Sequence, residues 1–164
     1  MEKKFLMGMS FVLAFVFSGL SQTGTSLSPL LRYYYGVKDA LVAGDAKTAA
    51  MQAGELVKSV NAVDKGTLAP AERTAFTSVQ EKLAFDARHI SEVTDIGHQR
   101  EHFTTLSGNM AALAKAVPLS DQPVYEEYCP MKKAYWLSSE TVIKNPYFGS
   151  MMLTCGKVTA TMKH

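Results

Sequence analysis

Between residues 28 and 117 the sequence carries four apolar stripes of helical period, each cut off from the next by a helix-stop or helix-start signal. Ser28-Pro29 offers a hydroxyl cap with proline in the first turn, and Leu30, Leu31, Tyr34, Val37, Ala40 and Leu41 follow at helical spacing. Gly44 stops that helix and Asp45 caps a second, about Ala46 to Val60, whose face is Ala49, Ala50, Ala53, Leu56, Val57 and Val60. Small residues on that face let a neighbouring helix approach closely. After the loop "DKGTLAP", Pro70 starts a third helix with Phe76, Val79, Leu83, Ala87 and Ile90 inside. Thr94 or Asp95 caps a fourth, with Phe103, Leu106, Met110, Leu113 and Val117 inside, and Pro118 ends it. Short loops between successive helices favour antiparallel neighbours, so the pattern predicts an up-down antiparallel four-helix bundle, a mainly α fold.

The character of the chain changes after Pro123. Tyr125, Tyr128, Tyr135, Trp136, Tyr147 and Phe148 crowd into a stretch punctuated by Pro130, Pro146, Gly149 and Gly156. "VYEEY" and "AYWLS" have strand character and are expected to pair as a short β-hairpin about Pro130 to Lys133. Residues 123–157 therefore read as an aromatic-rich C-terminal cap on the bundle.

Lys3 and Lys4 precede "FLMGMSFVLAFVFSGL", an apolar run of leader-peptide length that is short for a membrane span. Gly19 and Ser21 are small residues spaced for cleavage, which predicts a signal peptide over 1–21 and a single domain over 22–164. An uncleaved anchor is the alternative. The expected mature protein is exported and soluble, in the periplasm or its equivalent, with no membrane span. The formal charge of the full chain is +2 and there is no Lys/Arg block, so a nucleic-acid footprint is missing. P-loop, dinucleotide, G-x-S-x-G and C-x-x-C patterns are absent as well, and no enzymatic turnover is expected.

The chemistry concentrates in sulfur. The chain has two cysteines, Cys129 in "CPM" and Cys155 in "MMLTC", and each stands near a methionine. Thiolate and thioether together suit soft ions, Cu(I) above all, whereas zinc takes thiolate and imidazole but rarely thioether. Pro130 restricts the backbone between Cys129 and Met131. Met152 and Cys155, three apart, share a face if that segment makes one helical turn. A Cys129–Cys155 disulfide is the competing reading. It would close a loop of about 26 residues and contribute roughly 3–4 kcal/mol in the chain-entropy model, with the methionines as core filler.

His98 and His102 lie four apart on one face of the fourth helix, a usable bidentate spacing for zinc or copper. His102 borders the apolar face, where a structural histidine is the commoner outcome. His89 sits near Asp86 and Glu92 and reads as solvated or capping. "HQREH" also fits the inverted zinc-peptidase pattern through His98, Glu101 and His102. No acidic helix downstream supplies the third ligand that chemistry needs.

Taken in order, "QREHF..LS", "YCPM", "WLS", "I.NPYFG" and "MLTCG" make the chain resemble a domain of unknown function found in small exported bacterial proteins. That domain is also appended to periplasmic adaptor subunits of copper and silver efflux pumps. Only "KKAY" stands here between "CPM" and "WLS", where the family carries a short Asp/Gly-containing insertion, so a shorter turn is expected. The resemblance implies heavy-metal handling, copper first, with zinc or silver as other candidates. By position it implies Cys129, Met131, Met152 and Cys155 as ligands, and His102 as an addition. The partner it implies is an efflux adaptor or a metallochaperone. The competing expectation is a disulfide-stabilised interaction module of an envelope complex, with no metal.

Overall fold

The computed structural model describes residues 26–163. The expected leader, over 1–21, lies outside the described residues, as does His164. Four helices come first: α1 (Ser28–Ala43), α2 (Ala46–Ala62), α3 (Pro70–Glu92) and α4 (Ile96–Ala116). Strands β1 (Val124–Cys129) and β2 (Ala134–Ser138) follow, then a 3-10 turn (Gly149–Met151) and strand β3 (Lys157–Met162). Consecutive helices pack against each other, which is the up-down bundle, and β2 lies on α4. Among the described residues, no helix is long and apolar enough to cross a membrane.

The helix ends follow local chemistry. Asp45 accepts from the Thr48 amide and Asp95 from the His98 amide, so each carboxylate satisfies one of its helix's unpaired N–H groups. Glu72 reaches back to the Ala69 amide at the start of α3. The first cap departs from expectation. Leu27, not Ser28, is the N-cap of α1, and Pro29 then sits in the first turn. Leu27 is fully buried, so core packing sets the start of this helix where a hydroxyl was expected to. Each apolar stripe points inward: Tyr34, Leu56, Phe76, Leu83, Ile90, Phe103, Leu106 and Met110 are all fully buried.

The cap is an antiparallel sheet in the order β2-β1-β3. The expected hairpin forms, with Cys129 opposite Ala134 and the turn closed by the Lys133 amide on the Cys129 carbonyl at 2.8 Å. The sheet runs past the expected end of the cap at residue 157. β3 pairs with β1 from Tyr128↔Lys157 to Val124↔Met162, with a bulge at Glu126/Glu127. The Tyr34 hydroxyl joins sheet to bundle: it lies 2.8 Å from Ser107 Oγ on α4 and accepts from the Leu137 amide of β2 at 2.9 Å.

Buried polar groups at this junction are poorly partnered. Glu127 is fully buried, and the indole N–H of Trp136 faces its carboxylate without a well-formed hydrogen bond; the Tyr35 hydroxyl is likewise buried without one. Burial pushes the Glu127 carboxyl up to about 7, against the opposing pull of the Lys38 ammonium. The unfolded chain releases this proton near 4.5, so the stability tied to neutral Glu127 is complete below that pH and drains away as pH rises through 7. Denaturant titrations from pH 5 to 8 should show a falling unfolding free energy, of order 1–3 kcal/mol, that Glu127→Gln abolishes. A parallel decline in wild type and variant would contradict this assignment.

Candidate functional site

Strand pairing brings the two cysteines together. Cys129 is the last residue of the central strand, and Cys155 comes two residues before β3, whose first residue pairs with Tyr128. Both are free thiols, with their sulfurs 4.0 Å apart. A disulfide needs about 2.05 Å, so the two are neighbours and not bonded. Cys129 is fully buried, while Cys155 is half-buried at the rim.

The hairpin turn lies against both sulfurs. The Lys132 amide donates to Cys129 Sγ at 3.4 Å, and the Met131 amide lies near Cys155 Sγ. Burial and the neighbouring Cys129 push the Cys155 thiol up, with the Met131 amide opposing.

Two methionines lie in the turns that carry this pair. Met131 lies in the hairpin turn with 62% of its surface exposed. Met152 is 38% exposed, and its carbonyl accepts from the Cys155 amide at 3.0 Å, closing the turn that was expected to align the two. With Met151 and Leu153 also exposed, the rim beside Cys155 is an apolar, sulfur-rich surface.

Asn145, fully buried, fixes where Cys155 sits. Its Oδ1 accepts from the Tyr147 and Phe148 amides, its Nδ2 donates to the Cys155 carbonyl at 2.6 Å, and its amide donates to the Leu153 carbonyl. Gly149 then turns the chain with φ +55, and a Cβ there would stand 2.7 Å from Arg100 Nη2 and 3.0 Å from the Val42 carbonyl. Gly156 is held by space alone, because a Cβ would stand 2.7 Å from the Trp136 ring. Trp136 and Tyr147 meet edge to face, and the Tyr147 hydroxyl donates to the Tyr135 carbonyl. Asn145, Gly149 and Gly156 give no signal to a search for ligands; the visible signal was the "NPYFG" pattern itself.

His102 does not join the sulfurs. It faces α3, where its Nδ1 lies 3.2 Å from Asp86 and its Nε2 lies 3.2 Å from His98 Nε2. The His89 ring stacks on it at 4.6 Å. The register of α4 explains this: Phe103 fills the core against Tyr34, so the preceding residue turns to the α3 side. Among the described residues, no group of three or more His, Cys, Asp or Glu is placed to hold a metal ion. The pattern His98, Glu101, His102 therefore has no third ligand in this arrangement, and any ion at the thiol pair would need its coordination completed by thioether or an outside donor.

Truncating the anchor tests this positioning. Asn145→Ala leaves two amides and the Cys155 carbonyl without their buried partner, and should cost about 2–4 kcal/mol. Cys155 should then react faster with a thiol reagent under native conditions. Unchanged stability and unchanged labelling would show that Asn145 does not hold the site.

Searches among curated proteins and among solved structures gave no match. The family described as Protein of unknown function (DUF3347) matches residues 30–122, more than half of the chain. That span covers the helices and stops before the hairpin, so the cysteine and "NPYFG" motifs lie beyond it. The chain belongs to the DUF3347 family.

Proposed function

We infer that this protein is an exported carrier of a soft metal ion, Cu(I) before Ag(I) or Zn(II), that sequesters its cargo or passes it to an efflux adaptor or metallochaperone. The observation that carries the reading is the reduced pair Cys129 and Cys155, 4.0 Å apart, with Met131 and Met152 in the turns next to them in sequence. Two sulfurs each about 2.3 Å from one ion can stand up to about 4.6 Å apart, so the main chain would not need to move. Thiolate with thioether favours a soft cation over zinc. Met131 and Met152 stand close enough in the chain to complete the set, and His102 is set aside because it serves another cluster. The protein's part is to bind, orient and shield; no turnover is proposed. The leader-like sequence at residues 3–21 supports export.

The same 4.0 Å separation would allow a disulfide after modest side-chain rotation. That favours the rival reading, a metal-free interaction module of an envelope complex. A thiol count on protein isolated anaerobically separates the two: the carrier has two free thiols, the rival none.

Anaerobic Cu(I) titration against a competing chelator should give one equivalent bound to wild type and none to a Cys129→Ser/Cys155→Ser variant. Met131→Ala should weaken binding about tenfold while leaving the circular dichroism unchanged, since its side chain is mostly exposed. Affinity should rise with pH, because both thiols must lose protons to bind. Stoichiometric Cu(I) on the serine variant would defeat the thiol reading.

A further inference from the structure

The α3–α4 face holds a cluster that the soft-metal reading does not use. Asp86 is buried at 5% exposure, and its carboxylate meets His102 Nδ1 at 3.2 Å. A carboxylate only accepts, so Nδ1 carries the ring proton and the Nε2 lone pair accepts a hydrogen bond from His98, which an incoming cation would replace. One turn earlier on α4, His98 is exposed and its Nε2 stands 3.2 Å from that of His102. The two rings are nearly parallel, at 16° and 5.1 Å between centroids. Two nitrogens bonded to one Zn(II) at about 2.0–2.1 Å in tetrahedral geometry stand about 3.3 Å apart. The imidazoles thus already hold the separation of two neighbouring ligands on one ion.

The support behind them is also in place. A carboxylate on the far nitrogen of a ligating histidine fixes its tautomer and raises its basicity. On the other side, His89 stacks on His102 at 4.6 Å and is itself held by its Nδ1 on the Phe85 carbonyl at 3.0 Å. His102 is therefore gripped on its edge by Asp86 and on its face by His89, and the open side belongs to His98.

We propose that His98 and His102 form a second cation site, selective for a borderline divalent ion such as Zn(II) or Cu(II), with Asp86 as the positioning residue behind His102. Its donor set is nitrogen where that of the thiol pair is sulfur, so the two sites prefer different ions. The site has only two protein ligands, leaving coordination positions open to water or to a donor from a partner.

The test is a Zn(II) titration of the whole chain followed by NMR of the imidazole resonances, which report this site whatever happens at the thiols. One equivalent of Zn(II) should shift His98 and His102 together. His98→Ala, a change at an exposed side chain, should weaken that binding at least tenfold. Asp86→Asn, which keeps the shape but removes the charge, should weaken it 10–100-fold. Imidazole resonances that do not respond to Zn(II), or undiminished affinity in either variant, overturn the proposal. Because Cu(I) binding by the cysteines is measured separately, either site can fail without the other.

Discussion

The Arg100 guanidinium donates to the Leu41 carbonyl in the last turn of α1 and to the Pro146 carbonyl in the cap, both at 2.9 Å. Leu41 and Pro146 belong to segments more than a hundred residues apart, and α4 carries the group that joins them. The Leu41 carbonyl also accepts from the Gly44 amide at 3.3 Å, and the negative end of α1 favours the cationic donor that Arg100 adds there. The cap is thereby held against the bundle where it turns toward Cys155. Gly149 follows from the same contact, since its backbone passes too close to Arg100 for any side chain. Asn145 carries the constraint the last few residues, from the turn to the Cys155 carbonyl.

Sequence patterns predict the helices well because their signals are local. An apolar stripe, an Asp at a cap and a proline in a first turn act within a few residues, and Asp45 and Asp95 behave as their positions imply. Two elements escaped that logic. Leu27 starts α1 through burial, which depends on helices far along the chain. β3 is a mostly exposed edge strand, so it lacks the apolar alternation that marks a half-buried one. Its β-branched residues Val158, Thr159 and Thr161 were the available hint, but the pairing that makes them a strand comes from β1.

The candidate site was legible in its sulfur atoms and illegible in its supports. Cysteine and methionine announce their chemistry at any position, so Cys129, Met131, Met152 and Cys155 stood out. Asn145 and Arg100 act through main-chain carbonyls and amides, and a polar side chain gives no sign in sequence that it will be buried against backbone. His102 shows the opposite error. Helical spacing places it beside His98 but cannot say which neighbouring helix the pair will face. The packing of Phe103 and Asp86 decides that, and it sends the ring to α3.

The thiol pair is asymmetric, and the asymmetry bears on what a carrier would require. Cys129 ends the central strand, is fully buried, and is paired with Ala134 of β2. Cys155 sits in a short irregular segment at the surface, between a 3-10 turn and an edge strand, beside exposed Met151, Met152 and Leu153. A site closed on all sides would hold a soft ion tightly but release it slowly, since every bond would have to break inside the protein. One rigid sulfur and one accessible sulfur allow replacement of ligands one at a time, with a partner's thiolate or thioether entering at the Cys155 side while Cys129 still holds. The backbone on that side is irregular: β3 begins only at Lys157, and Gly156 passes close under the Trp136 ring where a side chain would clash.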